Sequence, residues 1–106
     1  MNLSIDIIKE LMKSKRIQWR GHMLIRMQQR GIKIKDIEEC INSGEIIEYY
    51  ENDYTFPSCL ILGFTAKNNG LHVVCAIGQY YVWMITAYYP DKEQWFADLK
   101  TRRNKA

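Results

Sequence analysis

The sequence predicts an α+β fold in which N-terminal helices pack on a four-stranded antiparallel sheet. Three observations carry this. Apolar residues recur at intervals of three and four up to about Ile41, and from Glu45 the pattern changes to short stretches rich in β-branched and aromatic residues. Turn residues separate those stretches at spacings suited to hairpins. Helices first and strands afterwards place the helices on one face of a meander sheet.

Leu3, Ile7, Ile8 and Leu11, with Ile5 and Met12 at the edges of the stripe, form the apolar face of a first helix around the potential cap Ser4, ending near Lys15. A second helix is predicted from about Gln18 to Arg30. It carries Trp19, Met23 and Met27 four residues apart and stops at Gly31, the residue type favoured just past a helix end. Ile34, Ile37 and Ile41 mark a third helix, closed by Asn42, Ser43 and Gly44. The strands are Glu45 to Glu51, Cys59 to Thr65, Leu71 to Ile77 and Tyr81 to Tyr89. Asn52-Asp53, Asn68-Asn69-Gly70 and Gly78-Gln79 divide them.

If Gly78-Gln79-Tyr80 is the last hairpin's loop and Ile77 pairs with Tyr81, His72 falls opposite Thr86, with Tyr88 diagonal to it on the same face. Pro90 ends the last strand. Asp91 with Gln94 reads as a capping pair opening a short helix through Trp95, Phe96 and Leu99. The expectation is one domain over residues 1–106, a folded core to residue 99 and a loose polar tail over 100–106.

The chain has 106 residues, 15 basic and 12 acidic side chains and a formal net charge of +3. That length leaves no room for a cofactor domain beside a substrate domain. No apolar run approaches the roughly 18–20 residues of a membrane span, and no signal-peptide core is present, so the expected setting is cytoplasmic with no membrane partner. Cys40, Cys59 and Cys75 lack both zinc-site spacing and disulfide density and read as reduced core residues. Basic residues cluster between Lys13 and Lys35 and again at Lys100, Arg102, Arg103 and Lys105, which suits an anionic partner or a solvated surface.

His22, Arg26 and Arg30 are four apart, advancing about 40° per step, and so form one polar strip beside the Trp19, Met23, Met27 face. Imidazole both accepts and donates protons near neutral pH, and arginines bind a phosphodiester and the charge that grows on it during displacement. Such a set can cleave RNA without a metal: a base takes the 2′-hydroxyl proton, arginines hold the phosphate, and an acid protonates the departing 5′ oxygen. His22 or His72 is the candidate base or acid, Arg26 and Arg30 the phosphate ligands, and Tyr88 a positioning or proton-donating group. A structural histidine, a solvated arginine pair and core aromatics are the plain alternatives. Tyr88, Tyr89, Trp83 and Trp95 are candidates for base stacking. Tyr49, Tyr50 and Tyr54 suit either a partner surface or edge-strand packing. Nothing points to a cofactor, a P-loop or a metal-ligand cluster.

The segments H-M-L-I-R-M-Q-Q-R-G-I from His22, I-N-S-G-E-I-I-E from Ile41, F-P-S-C-L-I-L-G from Phe56, L-H-V-V from Leu71 and I-T-A-Y-Y-P-D from Ile85 resemble, in order and spacing, the bacterial domain of unknown function 4258. The resemblance covers roughly positions 20 to 95. That family looks like a relative of RelE-like and ParE-like toxins, within the barnase, EndoU and colicin group of ribonuclease folds. The resemblance therefore implies a RelE-like, metal-independent endoribonuclease acting on free or ribosome-bound RNA, and a cognate antitoxin as protein partner. His22 and Arg30 match the family's helix motif, His72 its strand motif, and Thr86 with Tyr88 its last-strand motif, while Arg26 is added from helical spacing. Lys33 departs from the pattern, standing where a Ser or Thr cap is common. Similar folds also host gyrase inhibitors, so a non-catalytic binding module is the alternative function.

Overall fold

The computed structural model of the protein describes residues 3–52 and 56–103, so Asp53 of the predicted turn, Tyr54 and Lys105 lie outside the described residues. The elements run α1 (Ile5–Lys13), β1 (Ile17–Trp19), α2 (Met23–Gln29), α3 (Ile34–Asn42), β2 (Glu45–Tyr50), β3 (Ser58–Phe64), β4 (Gly70–Gly78) and β5 (Tyr81–Tyr88).

The first helix begins as its sequence dictates: the Ser4 side chain accepts the Ile7 N–H at 3.2 Å, and Asp6 sits in the first turn. It ends at Ser14, with Lys15 in the left-handed region at φ 59°. There the Lys15 N–H reaches the Met12 carbonyl and the Arg16 N–H that of Leu11, closing the last turn. Gly31, at φ 68°, closes α2 in the same way, with Ile32 N–H on the Met27 carbonyl. In α3 the Asp36 carboxylate accepts the Lys33 N–H at 2.9 Å, so the helix start is fastened from its third residue rather than from a cap side chain.

The sheet has five strands in the order β1-β5-β4-β3-β2, not four, and β1 runs parallel to β5 with Ile17 opposite Val82 and Trp19 opposite Met84. The four-residue interval from Trp19 to Met23 matched a helix by coincidence. Trp19 packs against the core from an edge strand, and the turn at Gly21-His22 separates it from α2. A three-residue strand is too short for its alternation to compete with a helical pattern.

All three helices cover one face, where Ile8, Leu11, Met23, Met27, Ile37, Cys40 and Ile41 meet Cys59, Ile61, Leu71, Val73, Cys75, Val82 and Met84 in one buried cluster. Gly63 lets α3 lie directly on β3, since a Cβ there would sit 1.8 Å from the Cys40 carbonyl oxygen. The three cysteines are free and buried, and burial pushes the Cys40 thiol up to about 12, leaving it protonated.

The last hairpin differs from the expected register in two places, each by one residue in the same direction. Its loop is Gln79-Tyr80 alone, both at positive φ, with Gly78 opposite Tyr81. Ile85 then enters as an extra residue between the Cys75–Met84 and Val74–Thr86 pairs. His72 therefore faces Tyr88, and Thr86 faces Val74. The combined shift is two residues, so all three keep the shared face predicted for them.

The predicted C-terminal helix is replaced by turns. The Asp98 carboxylate accepts from the Lys100 and Thr101 N–H groups and the Thr101 hydroxyl, Leu99 takes φ 61°, and the chain folds back so that Trp95 bridges Arg102. Local side-chain bonds to the backbone here outcompete the helical ladder. Trp95 is 2% exposed, and Arg102 is bound to Glu48 at 2.8 and 3.0 Å, so residues up to 103 are pinned across the sheet face away from the helices. Among the described residues no helix is long and apolar enough to cross a membrane.

Candidate functional site

Because β1 ends at Trp19, the outer edge of β5 loses its strand partner after Met84. The last backbone bond is the Arg20 N–H on the Met84 carbonyl, at 3.0 Å. Beyond it a side chain takes over: Arg30 Nη1 donates to the Ala87 carbonyl at 2.7 Å and to the Thr86 hydroxyl at 3.3 Å. The end of α2 is thus tied to the strand edge, and an otherwise bare backbone acceptor is satisfied.

Between that tie and the β1–α2 turn lies a depression of about 250 Å³, lined by Arg20, His22, Arg26, Ile85 and Thr86. His22 occupies the N-cap position of α2 but makes no capping bond, and its ring is exposed. Arg20 and Arg26 are exposed as well, and neither has an ion-pair partner among the described residues. An imidazole flanked by two unpaired guanidinium groups can hold an anion and exchange a proton with it.

His72 and Tyr88 lie elsewhere, under the C-terminal segment. His72 is fully buried. Its Nε2 stands 2.7 Å from the Leu99 carbonyl oxygen, which only accepts, so Nε2 carries the proton. Nδ1 then receives the Tyr88 hydroxyl at 3.4 Å. The Trp95 ring packs edge-on at 4.6 Å. Burial lowers the His72 pKa, partly countered by the Leu99 bond and by Glu48, so the ring is neutral at pH 7.

Around this pair runs a network that the sequence does not announce. The Arg102 guanidinium holds the Glu48 carboxyl below its usual range, and the Tyr50 hydroxyl donates to the same carboxylate at 2.6 Å. Burial and that carboxylate raise the Tyr50 pKa, and burial raises that of Tyr88.

The six residues singled out from the sequence therefore fall in two places. His22, Arg26 and Thr86 share the depression, and Arg30 borders it through Thr86. His72 and Tyr88 bond to each other beneath Leu99 and Trp95. Arg20 belongs to the first group and was missed, because only the β1–β5 pairing brings it there. Among the described residues no group of three or more His, Cys, Asp or Glu side chains could hold a metal ion.

The family described as Domain of unknown function (DUF4258) matches residues 19–89, two thirds of the chain. The chain belongs to the DUF4258 family. The match opens at Trp19 and closes at Tyr89, so it takes in the whole depression and leaves α1 and the C-terminal segment outside. No curated protein and no solved structure matches this DUF4258 chain.

Proposed function

We propose that this DUF4258 protein is a toxin-like endoribonuclease that cleaves RNA by metal-independent transesterification at the His22 depression. The observation that carries this reading is an exposed imidazole that makes no capping bond, sharing a depression with Arg20 and Arg26 beside the Arg30-bound Thr86 hydroxyl. His22 takes the 2′-hydroxyl proton, the new P–O2′ bond forms as the P–O5′ bond breaks, and the imidazolium returns its proton to the 5′ oxygen. Arg26 and Arg20 hold the phosphate and its developing charge. Arg30 shapes the floor by fixing Thr86. His72 and Tyr88 act as positioning residues that set the end of β5, since both His72 nitrogens are engaged inside the protein. The resemblance to RelE-like proteins extends the reading to free or ribosome-bound RNA as substrate and to a cognate antitoxin that covers the site.

A second reading, a non-catalytic binding module, is favoured by one observation. Leu24, Ile25 and Ile34 are 47%, 53% and 49% exposed, and Leu24 and Ile34 border a groove over Met27 and Ile32.

Cleavage of total RNA and of translating ribosomes, in excess EDTA with mapped fragment ends, separates the two. The expected result is 2′,3′-cyclic phosphate and 5′-hydroxyl ends from the wild type and a loss of at least about 100-fold in His22→Ala. Undiminished cleavage by His22→Ala overturns the assignment of the base. RNA retention without cleavage in either setting favours the binding module.

A further inference from the structure

One step beyond Arg30 along the same strand lies a second depression, of about 330 Å³, that the proposed cleavage chemistry does not use. Lys33 and Lys35 enter from the start of α3, Lys67 from the loop after β3, and Tyr89 from the residue following β5. Tyr89 is 42% exposed, so part of its ring is open to solvent.

Two carboxylates also line this hollow, and both are already engaged. Asp36 accepts the Lys33 N–H at 2.9 Å, and Glu39 accepts the Ala66 N–H at 2.8 Å. They fasten the two loops that frame the hollow. The three lysines, by contrast, have no ion-pair partner among the described residues, where the ion pairs are Lys100–Glu45 and Arg102–Glu48.

The spacing along the chain links the two depressions. Thr86 belongs to the first, Ala87 lies under the Arg30 guanidinium, and Tyr89 belongs to the second. Three residues of extended chain span about 10 Å. A strand of nucleic acid held by phosphate at Arg20 and Arg26 would pass over Arg30 and arrive at an open aromatic ring edged by exposed ammonium groups. An exposed ring with flexible cations around it is what an unpaired base and its phosphates require, and a duplex, with its bases already stacked, could not use the ring.

We infer that Tyr89 is the stacking platform of a second nucleotide subsite, with Lys33, Lys35 and Lys67 holding the phosphate backbone, so that the substrate is single-stranded RNA running along the edge of β5. This deepens the proposed RNA cleavage and rests on it.

The test is fluorescence anisotropy of a labelled single-stranded 2′-O-methyl RNA, which lacks the attacking hydroxyl, measured at several salt concentrations. Tyr89→Ala should weaken binding about tenfold, the size of one base stacked on a side chain, and Tyr89→Phe should bind as wild type does. Joint replacement of Lys33, Lys35 and Lys67 by Ala should flatten the salt dependence. Tight binding by the wild type that Tyr89→Ala leaves unchanged overturns the subsite while leaving the His22 chemistry standing. Binding that depends on Tyr89, with no cleavage of unmodified RNA either free or on translating ribosomes, keeps the subsite and overturns the nuclease. No binding by the wild type overturns the subsite, and the His22 chemistry is then decided by the cleavage assay on translating ribosomes.

Discussion

At the scale of the residue, the two histidines have opposite fates that follow from their neighbours. His22 has an open ring at a helix start, whereas His72 is enclosed by Leu99, Trp95 and Tyr88. The helical strip that exposes His22 and Arg26 is legible from spacing four, because it needs only the helix itself. The enclosure of His72 is not legible, since its cover comes from a segment 27 residues away whose turns resemble a capped helix in composition. The pH dependence tests it. Burial lowers the folded-state pKa of His72, so the unfolded chain takes up the proton first. The stability His72 contributes is therefore complete above about pH 6.5 and is lost as pH falls below it. Glu48 acts in a lower window: Arg102 depresses its pKa, and its contribution fades as pH falls below about 4.5. Urea midpoints for wild type should decline in both windows, and His72→Gln should abolish the upper decline alone. An unchanged upper decline would place the titrating group elsewhere.

At the scale of the element, the chain ends α1 with a lysine where a glycine is better suited. Lys15 holds φ 59° and completes the two closing bonds, so its Cβ is strained by about 1 kcal/mol. Lys15→Gly should raise stability by about 0.5–1 kcal/mol in chemical denaturation, and a fall would mean that the closing turn is not left-handed in solution. Gly63 shows the reverse constraint. Gly63→Ala would drive a methyl group into the Cys40 carbonyl and should cost at least about 3 kcal/mol, seen as loss of the cooperative thermal transition. The ends of α2 and α3 were legible because Gly31 and the Asn42-Ser43-Gly44 run terminate helices by local chemistry. β1 was not. Its three residues gain their partner from Val82 to Met84, and no local pattern announces a pairing across that separation.

At the scale of the whole molecule, the sheet has two unlike covers, three helices on one side and the turn-rich C-terminal segment on the other. The α+β class was legible from the change of period, and the face shared by His72, Thr86 and Tyr88 survived because two single-residue offsets sum to an even shift. The second cover was not, because Trp95 and Arg102 act through long-range contacts with His72 and Glu48. Trp95→Ala should cost about 3–5 kcal/mol and also let water reach His72, returning its pKa toward the ordinary value. Proton NMR titration reads this directly, since the chain has two histidines. A His72 titration unmoved in Trp95→Ala would show that the tryptophan is not what dries the ring.

The parallel pairing of β1 with β5 also sets a clock. Arg20 is placed by the Met84 carbonyl and Arg30 by Ala87, so the residues around His22 are synthesised early but gain their frame only when the last strand has emerged. Closing so long a loop is among the slower steps open to a small domain. A growing chain that stops short of Ile85 carries Arg20, His22 and Arg26 without the strand that frames them, so the depression is among the last features of the molecule to take shape.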